Sequence, residues 1–377
     1  MEDKPNRKCV VIEYLEGSLS DGGAETLVKD YVLFLDKALF KPIILVDWVF
    51  KGSANYQRLK DSGVEITSLY PRYSFFWRAV NKFFRNRYID HKLKKIIEEK
   101  TPDVIHAHLA CLNHLEAVKN SLDGIKLFYT CHSEPWFYFD KMKNEEKAAK
   151  VLIRDCGLRL IALRYDMKGE LDSRFHTDNT VVVKNGIDLT LFHSSSDKGL
   201  RKRKELSIDS SSFVVGHVGR FSEEKNHVFL LDVFKEVLKV NEDSHLVLVG
   251  DGELEGQIRE KIKHLGIGPK VTILSNRTDI PDLLNMMDVF VFPSLYEGLG
   301  MALIEAQAVG VRCVVSKNVN PEAFVSDLVV VESLGDSAKK WARDALDGSS
   351  FGPYENRVCE YDIQHEIKKL EQLYGGK

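Results

Sequence analysis

Closely spaced cysteines are missing from this sequence. Its six cysteines are scattered along the chain, and no C-x-x-C pair occurs among them. A zinc ribbon or a disulfide framework needs paired spacings, so neither is indicated as the basis of the fold. Scattered cysteines are typical of a protein whose thiols stay reduced in the cytosol.

Long apolar runs and a strong charge of one sign are missing as well. No apolar run approaches the length of a membrane span, and the opening residues MEDKPNRK lack the apolar core of a signal peptide. The formal net charge of −3 argues against bulk binding to nucleic acid. We therefore expect a cytoplasmic protein that works in solution or as a peripheral protein at the inner face of the cell membrane.

The sequence does contain a long alternation of buried-strand and helix patterns. Its 377 residues, 44% apolar and 29% charged, suit a soluble protein of two domains. Apolar runs such as DVIHAH and HLVLVG are separated by helical patterns, which predicts the α/β class with doubly wound parallel sheets. We predict one Rossmann-like domain at 1–190, a serine-rich, charged linker at 191–212, a second Rossmann-like domain at 213–354 and a C-terminal helix at 355–377.

The most informative stretch is LYEGLGMALIEAQAVGV, residues 295–311, which follows the strand pattern DVFVFPS. Gly298 and Gly300 allow the backbone to approach a ligand, and the predicted helix start offers N–H groups to an anion. Glu297 stands beside the turn, and Glu305 lies on an apolar stripe where a carboxylate needs hydrogen-bond donors. This unit fits a ligand with both phosphates and hydroxyls. The alternative is a plain helix start with surface glutamates.

Two other loops that follow predicted strands are candidate phosphate sites. Arg220 and Lys225 lie five residues apart in RFSEEKN, where a planar fork and a point charge can clamp a diphosphate. Two glutamates lie between them, so a solvated loop of mixed charge is the alternative. Near the start of the chain, Gly22 and Gly23 separate a strand from a helix, which favours phosphate binding and an ordinary loop about equally.

The order of the motifs resembles that of the family 4 retaining glycosyltransferases over nearly the whole chain. The motifs are GGAE, HAH, TCHSE, KNGID, GRFSEEKN, VGDGE and EGLGMALIE. The most specific part is E-x7-E combined with GR-x4-K. The resemblance implies the GT-B fold, in which two Rossmann-like domains face each other across a cleft and a C-terminal helix crosses back to the first domain. Enzymes of capsule, exopolysaccharide and lipopolysaccharide assembly are the most similar members.

The resemblance also implies a role for each candidate residue. Arg220 and Lys225 would neutralise the donor diphosphate and the leaving nucleotide. Glu297 would accept hydrogen bonds from donor-sugar hydroxyls, Glu305 would accept them from the ribose, and His132 would contact the donor sugar. The other donor-binding positions are Gly22, Gly23, Gly298, Leu299 and Gly300.

Two histidines of DVIHAH, His106 and His108, face the same way because side chains alternate along a strand. That geometry could suit a metal ion, but no third ligand is evident from the spacing. We therefore predict packed or cleft-lining histidines and no metal site. Asp251 and Glu253 in VGDGE are predicted to be turn and helix-cap residues.

The segment 71–95 combines aromatic and basic residues, for example in SFFWRAVNKFFRNR. Such a composition suits an interfacial helix on anionic lipid near a lipid-linked acceptor. The alternative is a helix that packs its aromatic side chains into the first domain.

The resemblance, taken together with these patterns, implies a retaining, metal-independent hexosyltransferase without a cofactor. We expect the co-substrate to be a nucleotide-diphosphate sugar, with UDP rather than GDP, and the acceptor to be a glycan or lipid-linked glycan. No nucleic-acid partner is expected. Two alternatives remain: a GT-B-fold sugar-nucleotide epimerase, and a non-catalytic nucleotide-sugar-binding partner of a polysaccharide assembly complex.

Overall fold

A computed structural model describes residues 7–20, 22–70, 87–349 and 351–375 of the chain. Their contacts divide the protein into two units. The first comprises Met1–Gly186 together with Ile363–Lys377, and the second comprises Ile187–Asp362. The part of the predicted 71–95 segment that spans residues 71–86 lies outside the described residues.

The first unit is built on a parallel sheet whose described strands number seven, in the order β3-β2-β1-β4-β5-β6-β7. The central strand β1 pairs with β2 on one side and β4 on the other, so that Ile12 stands opposite both Ile43 and Ile105. The strands are β1 Cys9–Leu15, β2 Phe40–Val46, β3 Glu65–Ser68, β4 Val104–His108, β5 Lys126–Thr130, β6 Arg159–Ala162 and β7 Val181–Val182.

Helices connect the strands of this unit, as a parallel sheet requires. They are α1 Gly23–Phe34, α2 Ala54–Asp61, α3 Arg87–Lys100, α4 Leu112–Ala117, α5 Pro135–Lys141, α6 Lys143–Cys156 and α7 Tyr165–Phe175. The stretch from Thr180 to Asp188 has the apolar pattern of a strand, but it joins the sheet through the two residues of β7, and its Ile187 makes an isolated bridge to Asp362.

The second unit has a parallel sheet with six described strands in the order β10-β9-β8-β11-β12-β13. These are β8 Phe213–Val218, β9 Ser244–Val249, β10 Val271–Leu274, β11 Val289–Phe292, β12 Arg312–Ser316 and β13 Val329–Glu332. The helices are α8 Ser196–Glu205, α9 His227–Val240, α10 Glu255–Leu265, α11 Ile280–Asn285, α12 Met301–Ala308 and α13 Ala338–Leu346.

The central strands form because their side chains are apolar on both faces. All four residues of β11, for example, are buried, as are six of the seven residues of β2, including every one from Pro42 to Val46. A strand covered on both faces by helices reads as a continuous apolar run rather than as an alternation. The predicted α/β class with two Rossmann-like units is confirmed.

The predicted linker contains α8, which belongs to the second unit. Its Arg203 is buried and donates from Nε to the carbonyl of Met286 at 2.9 Å, and its Nη2 contacts Asp288 at 2.8 Å. The basic residues of this segment therefore anchor a helix to the second sheet.

The chain ends in α14, Ile363–Gly375, which packs in the first unit. Its Tyr374 is buried and donates from the hydroxyl to Oε1 of Glu13 on β1 at 2.8 Å. The expectation that the C-terminal helix crosses back to the first domain is confirmed. Among the described residues, no helix is both long enough and apolar enough to cross a membrane.

Candidate active site

Three loops of the second unit meet at one edge of its sheet. They follow β8, β9 and β11, which are neighbours in the sheet, and the carboxyl ends of parallel strands share an edge. Phe221 of the first loop donates its N–H to the carbonyl of Asp251 in the second loop at 2.6 Å. Gly252 has φ +153, and a Cβ built on it would lie 2.5 Å from the carbonyl oxygen of Phe221. Glycine is therefore needed for these two loops to approach so closely.

The first and third loops are joined by an ion pair between two predicted site residues. Nζ of Lys225 lies 2.5 Å from Oε1 of Glu297, and the hydroxyl of Ser294 donates to the same oxygen at 2.8 Å. The side chains of Lys225 and Glu297 are only 17% and 8% exposed. Lys225 also lies above the ring of Phe292, 5.3 Å from its centroid. The structure therefore places a cation and an acceptor carboxylate together in a largely buried setting, where their interaction is screened less than at the surface.

Arg220 lies in the same loop as Lys225 but in a different environment. Its side chain is 68% exposed and its Nη2 lies 3.1 Å from Oε2 of Glu253. An exposed ion pair of this kind contributes little free energy, so the contact with Glu253 holds the guanidinium only weakly. The expectation that Glu253 caps a helix is wrong, because α10 begins at Glu255 and Leu254 occupies the N-cap without a side-chain cap bond.

The turn after β11 leads into α12 as the sequence predicted. Gly300 is the N-cap of α12 with φ +80, a conformation that glycine adopts without strain, and no side chain caps this helix start. Leu299 is buried, whereas Gly298 is exposed to solvent. Glu305 lies half-buried on α12 between the buried side chains of Ile304 and Ala306. The glycine turn thus leads directly into the short helix that carries the Glu305 carboxylate.

Two histidines behind Lys225 were missed by the sequence reasoning. His217 at the end of β8 donates from Nδ1 to the carbonyl of Val291 at 2.9 Å, and its ring lies edge-on to that of His227, with 4.7 Å between the centroids. Burial, and after it the positive charge of Lys225, lower the pKa of His227 to about 4 against the opposing effect of Glu224. Burial, with a smaller contribution from His227, holds the pKa of His217 well below its usual value. Both rings are neutral at pH 7. A histidine inside the apolar run FVVGHVG was the signal that could have found this pair.

In the first unit, the predicted glycines lie at the start of α1. Gly22 is its N-cap with an extended backbone at φ −77, and Gly23 is its first residue. A Cβ on Gly22 would lie 2.5 Å from Oε2 of Glu25, whereas a Cβ on Gly23 would meet no atom within 4 Å among the described residues. The hydroxyl of Ser20 donates to Glu25 at 2.7 Å. The glycine pair therefore opens a helix whose first turn already contains a carboxylate.

His132, in the loop two residues after β5, is the outer member of a hydrogen-bonded chain. Its Nε2 lies 2.9 Å from Nδ1 of His108, and Nε2 of His108 lies 2.8 Å from Oε2 of Glu13. His132 is half-buried, while His108 and Glu13 are fully buried. Burial raises the pKa of Glu13, but the charge and hydrogen bonds of His106 and His108 outweigh burial and hold that pKa at about 2.

The same cluster contains a third potential metal ligand, Glu13, which the spacing of DVIHAH did not indicate. Ligand atoms of Glu13, His106 and His108 lie within 4.8 Å of one another, a spacing that a metal ion can bridge. Both nitrogens of His106 are engaged, with the Tyr374 hydroxyl at 2.5 Å and the Thr130 hydroxyl at 2.7 Å. These contacts form a closed set of hydrogen bonds among protein groups, which matches the prediction of packed histidines.

A large depression in the first unit lies away from these residues. It is lined by residues at the amino ends of β5 and β6, such as Lys126 and Arg159, and by Gln372 of α14. Because ligand sites of parallel sheets lie at the carboxyl ends of strands, size alone does not mark this depression as the active site.

Comparison with known proteins identifies the family. Residues 21–191 match the model of Glycosyltransferase Family 4, and residues 200–344 match that of Glycosyl transferases group 1. The sequence is 28% identical over 303 residues to an Escherichia coli protein named UDP-Gal:alpha-D-GlcNAc-diphosphoundecaprenol alpha-1,3-galactosyltransferase, which covers 75% of this chain and 77% of the relative. It is 29% identical over 389 residues to the putative glycosyltransferase EpsF of Bacillus subtilis, covering 97% of this chain and 96% of the relative.

Solved structures are similar to the chain as well. The crystal structure of HepE from Anabaena in complex with UDP-glucose matches with a TM-score of 0.75 and 19% identity, over 97% of this chain and 100% of that one. WaaG, a glycosyltransferase involved in lipopolysaccharide biosynthesis, matches with a TM-score of 0.68 and 14% identity, over 97% and 98% of the two chains. Most of each unit thus matches a glycosyltransferase family model, and the chain belongs to the family 4 glycosyltransferases of the GT-B fold.

Proposed function

We propose that this glycosyltransferase moves a hexose from a UDP-sugar to a glycan or lipid-linked glycan in cell-surface polysaccharide biosynthesis. The observation that carries the proposal is the Lys225–Glu297 pair beside the glycine turn at Gly300. It presents a cation for a diphosphate and a carboxylate for hydroxyl groups within 2.5 Å of each other. A nucleotide-diphosphate sugar needs both at the bond that breaks.

The names of similar proteins support UDP as the nucleotide and a lipid-linked acceptor. The Escherichia coli relative is named for the donor UDP-Gal and for an acceptor joined to diphosphoundecaprenol. HepE was solved with UDP-glucose. We assign this donor and acceptor chemistry to the present chain as part of the proposal.

The proposed reaction breaks the bond between the anomeric carbon and the leaving diphosphate. As negative charge develops on the departing phosphate, Lys225 and Arg220 stabilise it, and this preorganised charge takes the place of a bound metal ion. The acceptor hydroxyl attacks from the same face, so that the configuration is retained, and its proton passes to the leaving phosphate oxygen. Removing one such electrostatic donor typically lowers kcat by about 100- to 1,000-fold.

The remaining candidates take their roles from the family resemblance. Glu305 accepts hydrogen bonds from the ribose, and the 298–300 backbone contacts the phosphates and the sugar. Gly22 and Gly23 belong beside the donor phosphates, and His132 beside the donor sugar. The relatives named above are transferases, which favours transfer over epimerisation or a purely binding role.

A transfer assay tests this proposal. UDP-, GDP-, ADP- and TDP-hexoses are offered with a polyprenyl-diphosphate-linked acceptor sugar, and product is detected with its anomeric configuration by NMR. We expect product with UDP-sugars, formed with retention, and a strong loss with Lys225→Ala. Lys239→Ala is the matched control, because this lysine of α9 contacts the nearby Glu236 and is 60% exposed. A released epimerised sugar, an inverted product or no product with any donor would contradict the proposal.

Location at an anionic membrane surface is part of the same proposal. The segment 71–95 supports it by composition. Its last residues begin α3, where Ile89 and Leu93 are buried in the first unit, so this end is anchored in the domain. Co-sedimentation with vesicles rich in phosphatidylglycerol tests the location, and failure to bind even strongly anionic vesicles would reject it.

A further inference from the structure

Five buried polar side chains of the first unit form one continuous set of hydrogen bonds. They come from four elements, and none is exposed by more than 1%. The members are Glu13, His106, His108, Thr130 and Tyr374. Buried polar groups are costly unless each has a partner, so the direction of every bond in the set can be assigned.

The assignment starts at Glu13, whose carboxylate can only accept. Its Oε1 takes the proton of the Tyr374 hydroxyl at 2.8 Å, and its Oε2 takes the Nε2–H of His108 at 2.8 Å. Burial and the neighbouring His106 lower the pKa of His108 to about 4, although Glu13 acts in the opposite sense. His108 is therefore neutral at pH 7, and with Nε2 protonated its Nδ1 is bare.

The second histidine of β4 fits the same assignment without conflict. Because the Tyr374 hydroxyl donates to Glu13, His106 must donate from Nδ1 to the tyrosine oxygen at 2.5 Å. Its Nε2 shares a hydrogen bond with the Thr130 hydroxyl at 2.7 Å, and that hydroxyl can either donate or accept. One protonation pattern thus satisfies all of these groups.

The pattern extends outward to His132. The bare Nδ1 of His108 accepts the Nε2–H of His132 at 2.9 Å. Burial, followed by the neighbouring His108 and His106, holds the pKa of His132 well below its usual value, so the ring carries one proton only. That proton is on Nε2, and Nδ1 of His132 is left as an acceptor. Within the described part of the chain, no group hydrogen-bonds to this Nδ1, and His132 is half-buried in the loop after β5.

We propose that Glu13 and His108 are positioning residues that hold His132 in the Nε2–H tautomer, so that its Nδ1 accepts a hydrogen bond from a hydroxyl group of the sugar substrate. The contact with substrate rests on the proposed function, whereas the tautomer does not. A histidine whose tautomer is fixed by a buried carboxylate needs no reorganisation when the hydroxyl arrives.

The titratable groups around His132 are expected to keep the same protonation states near neutral pH. Those in contact with the hydrogen-bonded set are Glu13 on β1, Tyr31 on α1, His106 and His108 on β4, and Tyr374 on α14. Burial raises the pKa of both Tyr31 and Tyr374 well above the usual tyrosine value, so both hydroxyls stay protonated.

The wild-type protein provides the first test, by ¹⁵N NMR of the imidazole nitrogens. The chain has 12 histidines, and the His132 signals are assigned by difference from His132→Gln. We expect a protonated Nε2 and a bare Nδ1 for His132, unchanged between pH 6 and pH 8. A protonated Nδ1, a mixture of tautomers or an imidazolium in this range would overturn the proposal. The proposal would also be overturned if the purified protein contained a stoichiometric metal ion whose removal shifted the His108 signals.

Variants of Glu13 supply the second test. Glu13→Leu removes the acceptor for His108, and we expect a mixture of His132 tautomers and a donor KM about tenfold higher, the effect of one weakened hydrogen bond. Glu13→Gln keeps an amide oxygen for His108 and is expected to retain the tautomer and the KM within about threefold. Tyr374→Phe is the control inside the set, because it leaves the Glu13–His108 bond in place and should leave the His132 tautomer unchanged. Equal tautomers in Glu13→Leu and wild type would overturn the proposal.

The two tests separate this inference from the proposed function. If the enzyme uses no UDP-sugar, the NMR results stand unchanged, and only the assignment of the hydroxyl contact is lost. If Glu13→Leu fails to fold, the wild-type spectrum alone still decides the tautomer. Asp90→Asn serves as the external control, because Asp90 contacts His114 at 3.0 Å in the same unit and, within the described residues, does not hydrogen-bond to His132.

Discussion

Lys225 and Glu297 lie 72 positions apart in the chain and form an ion pair at 2.5 Å. The sequence suggested separate roles for them, a cation for phosphate and a carboxylate for hydroxyls. Their pairing means that each holds the other in place before a donor arrives. Preorganised charge of this kind stabilises a transition state more than charge that must first be assembled.

Loss of Lys225 is expected to impair catalysis far more than folding. Lys225→Ala should lower kcat/KM by about 100-fold or more, because one preorganised cation at the departing phosphate is removed. Steady-state kinetics with the preferred donor measures the effect, and Lys239→Ala should stay near wild type. A kcat/KM for Lys225→Ala within about threefold of wild type would remove Lys225 from the mechanism.

The pair itself can be measured by a double-mutant cycle on stability. Lys225→Met, Glu297→Gln and the double variant are unfolded in denaturant. We expect a coupling free energy of about 1 kcal/mol, because residues in direct contact are not additive and both side chains are largely buried. Additivity within about 0.3 kcal/mol would show that the pair contributes nothing to the folded state.

The turn before α12 gives a prediction about backbone conformation. Gly300 has φ +80, so Gly300→Ala forces a left-handed conformation on a residue with a Cβ and should cost about 1 kcal/mol. Gly256→Ala is the matched control. Gly256 lies inside α10, and a Cβ built on it meets nothing within 4 Å among the described residues. That control should be stabilising by about 0.5 kcal/mol. Thermal unfolding compares the two, and equal effects would contradict the turn geometry.

Stability should fall as the pH is lowered from about 6.5 to 4. His227 has a folded pKa of about 4 against an ordinary value of 6.5, so between these values the unfolded chain binds a proton that the folded chain excludes. Its contribution is complete above pH 6.5 and is lost on acidification, by at most about 1.4 kcal/mol per pH unit.

His227→Phe isolates this contribution. The ring lies edge-on to Phe221 at 4.8 Å, and neither of its nitrogens has a recorded hydrogen bond in the described structure, so an apolar ring should be tolerated at pH 7. The midpoint of thermal unfolding should then depend less steeply on pH than in wild type. An unchanged slope between pH 7 and pH 5 would contradict the burial argument for this histidine.

Chelation tests the proposal that protein cations take the place of a metal ion. Activity with the preferred UDP-sugar should be unchanged after treatment with EDTA and should not rise when Mg²⁺ or Mn²⁺ is added back. The expectation follows from placing Lys225 and Arg220 at the diphosphate. An EDTA-sensitive rate restored by one of these cations would contradict it.

Much of the fold could be predicted because both sheets are buried on both faces. Runs such as FVVGHVG and DVFVFPS are mostly apolar and do not alternate, which is typical of parallel strands covered by helices on both faces. The apolar run Val181–Val183 resembles a longer strand than the structure contains, since β7 pairs with β6 through Val181 and Val182 and Ile187 forms an isolated bridge to Asp362.

The candidate site was predicted less completely, for reasons of distance along the chain. Local motifs identified Lys225 and Glu297 but carried no information that they touch. Glu13 was missed altogether, because a single glutamate inside the strand RKCVVIEYLE has no local partner and contacts His108 from 95 positions away. The return of Tyr374 to the same cluster depends on the path of the whole chain.

The most direct test of the central claim is a thermal-shift panel with UDP-, GDP-, ADP- and TDP-sugars on wild type, Lys225→Ala, Glu305→Ala and the control Lys239→Ala. A ligand raises the unfolding midpoint only by binding the folded protein more tightly than the unfolded chain. We predict a shift with UDP-sugars in wild type and Lys239→Ala, and its loss in Lys225→Ala and Glu305→Ala. An equal shift in all four proteins, or a shift with a different nucleotide alone, would contradict the account.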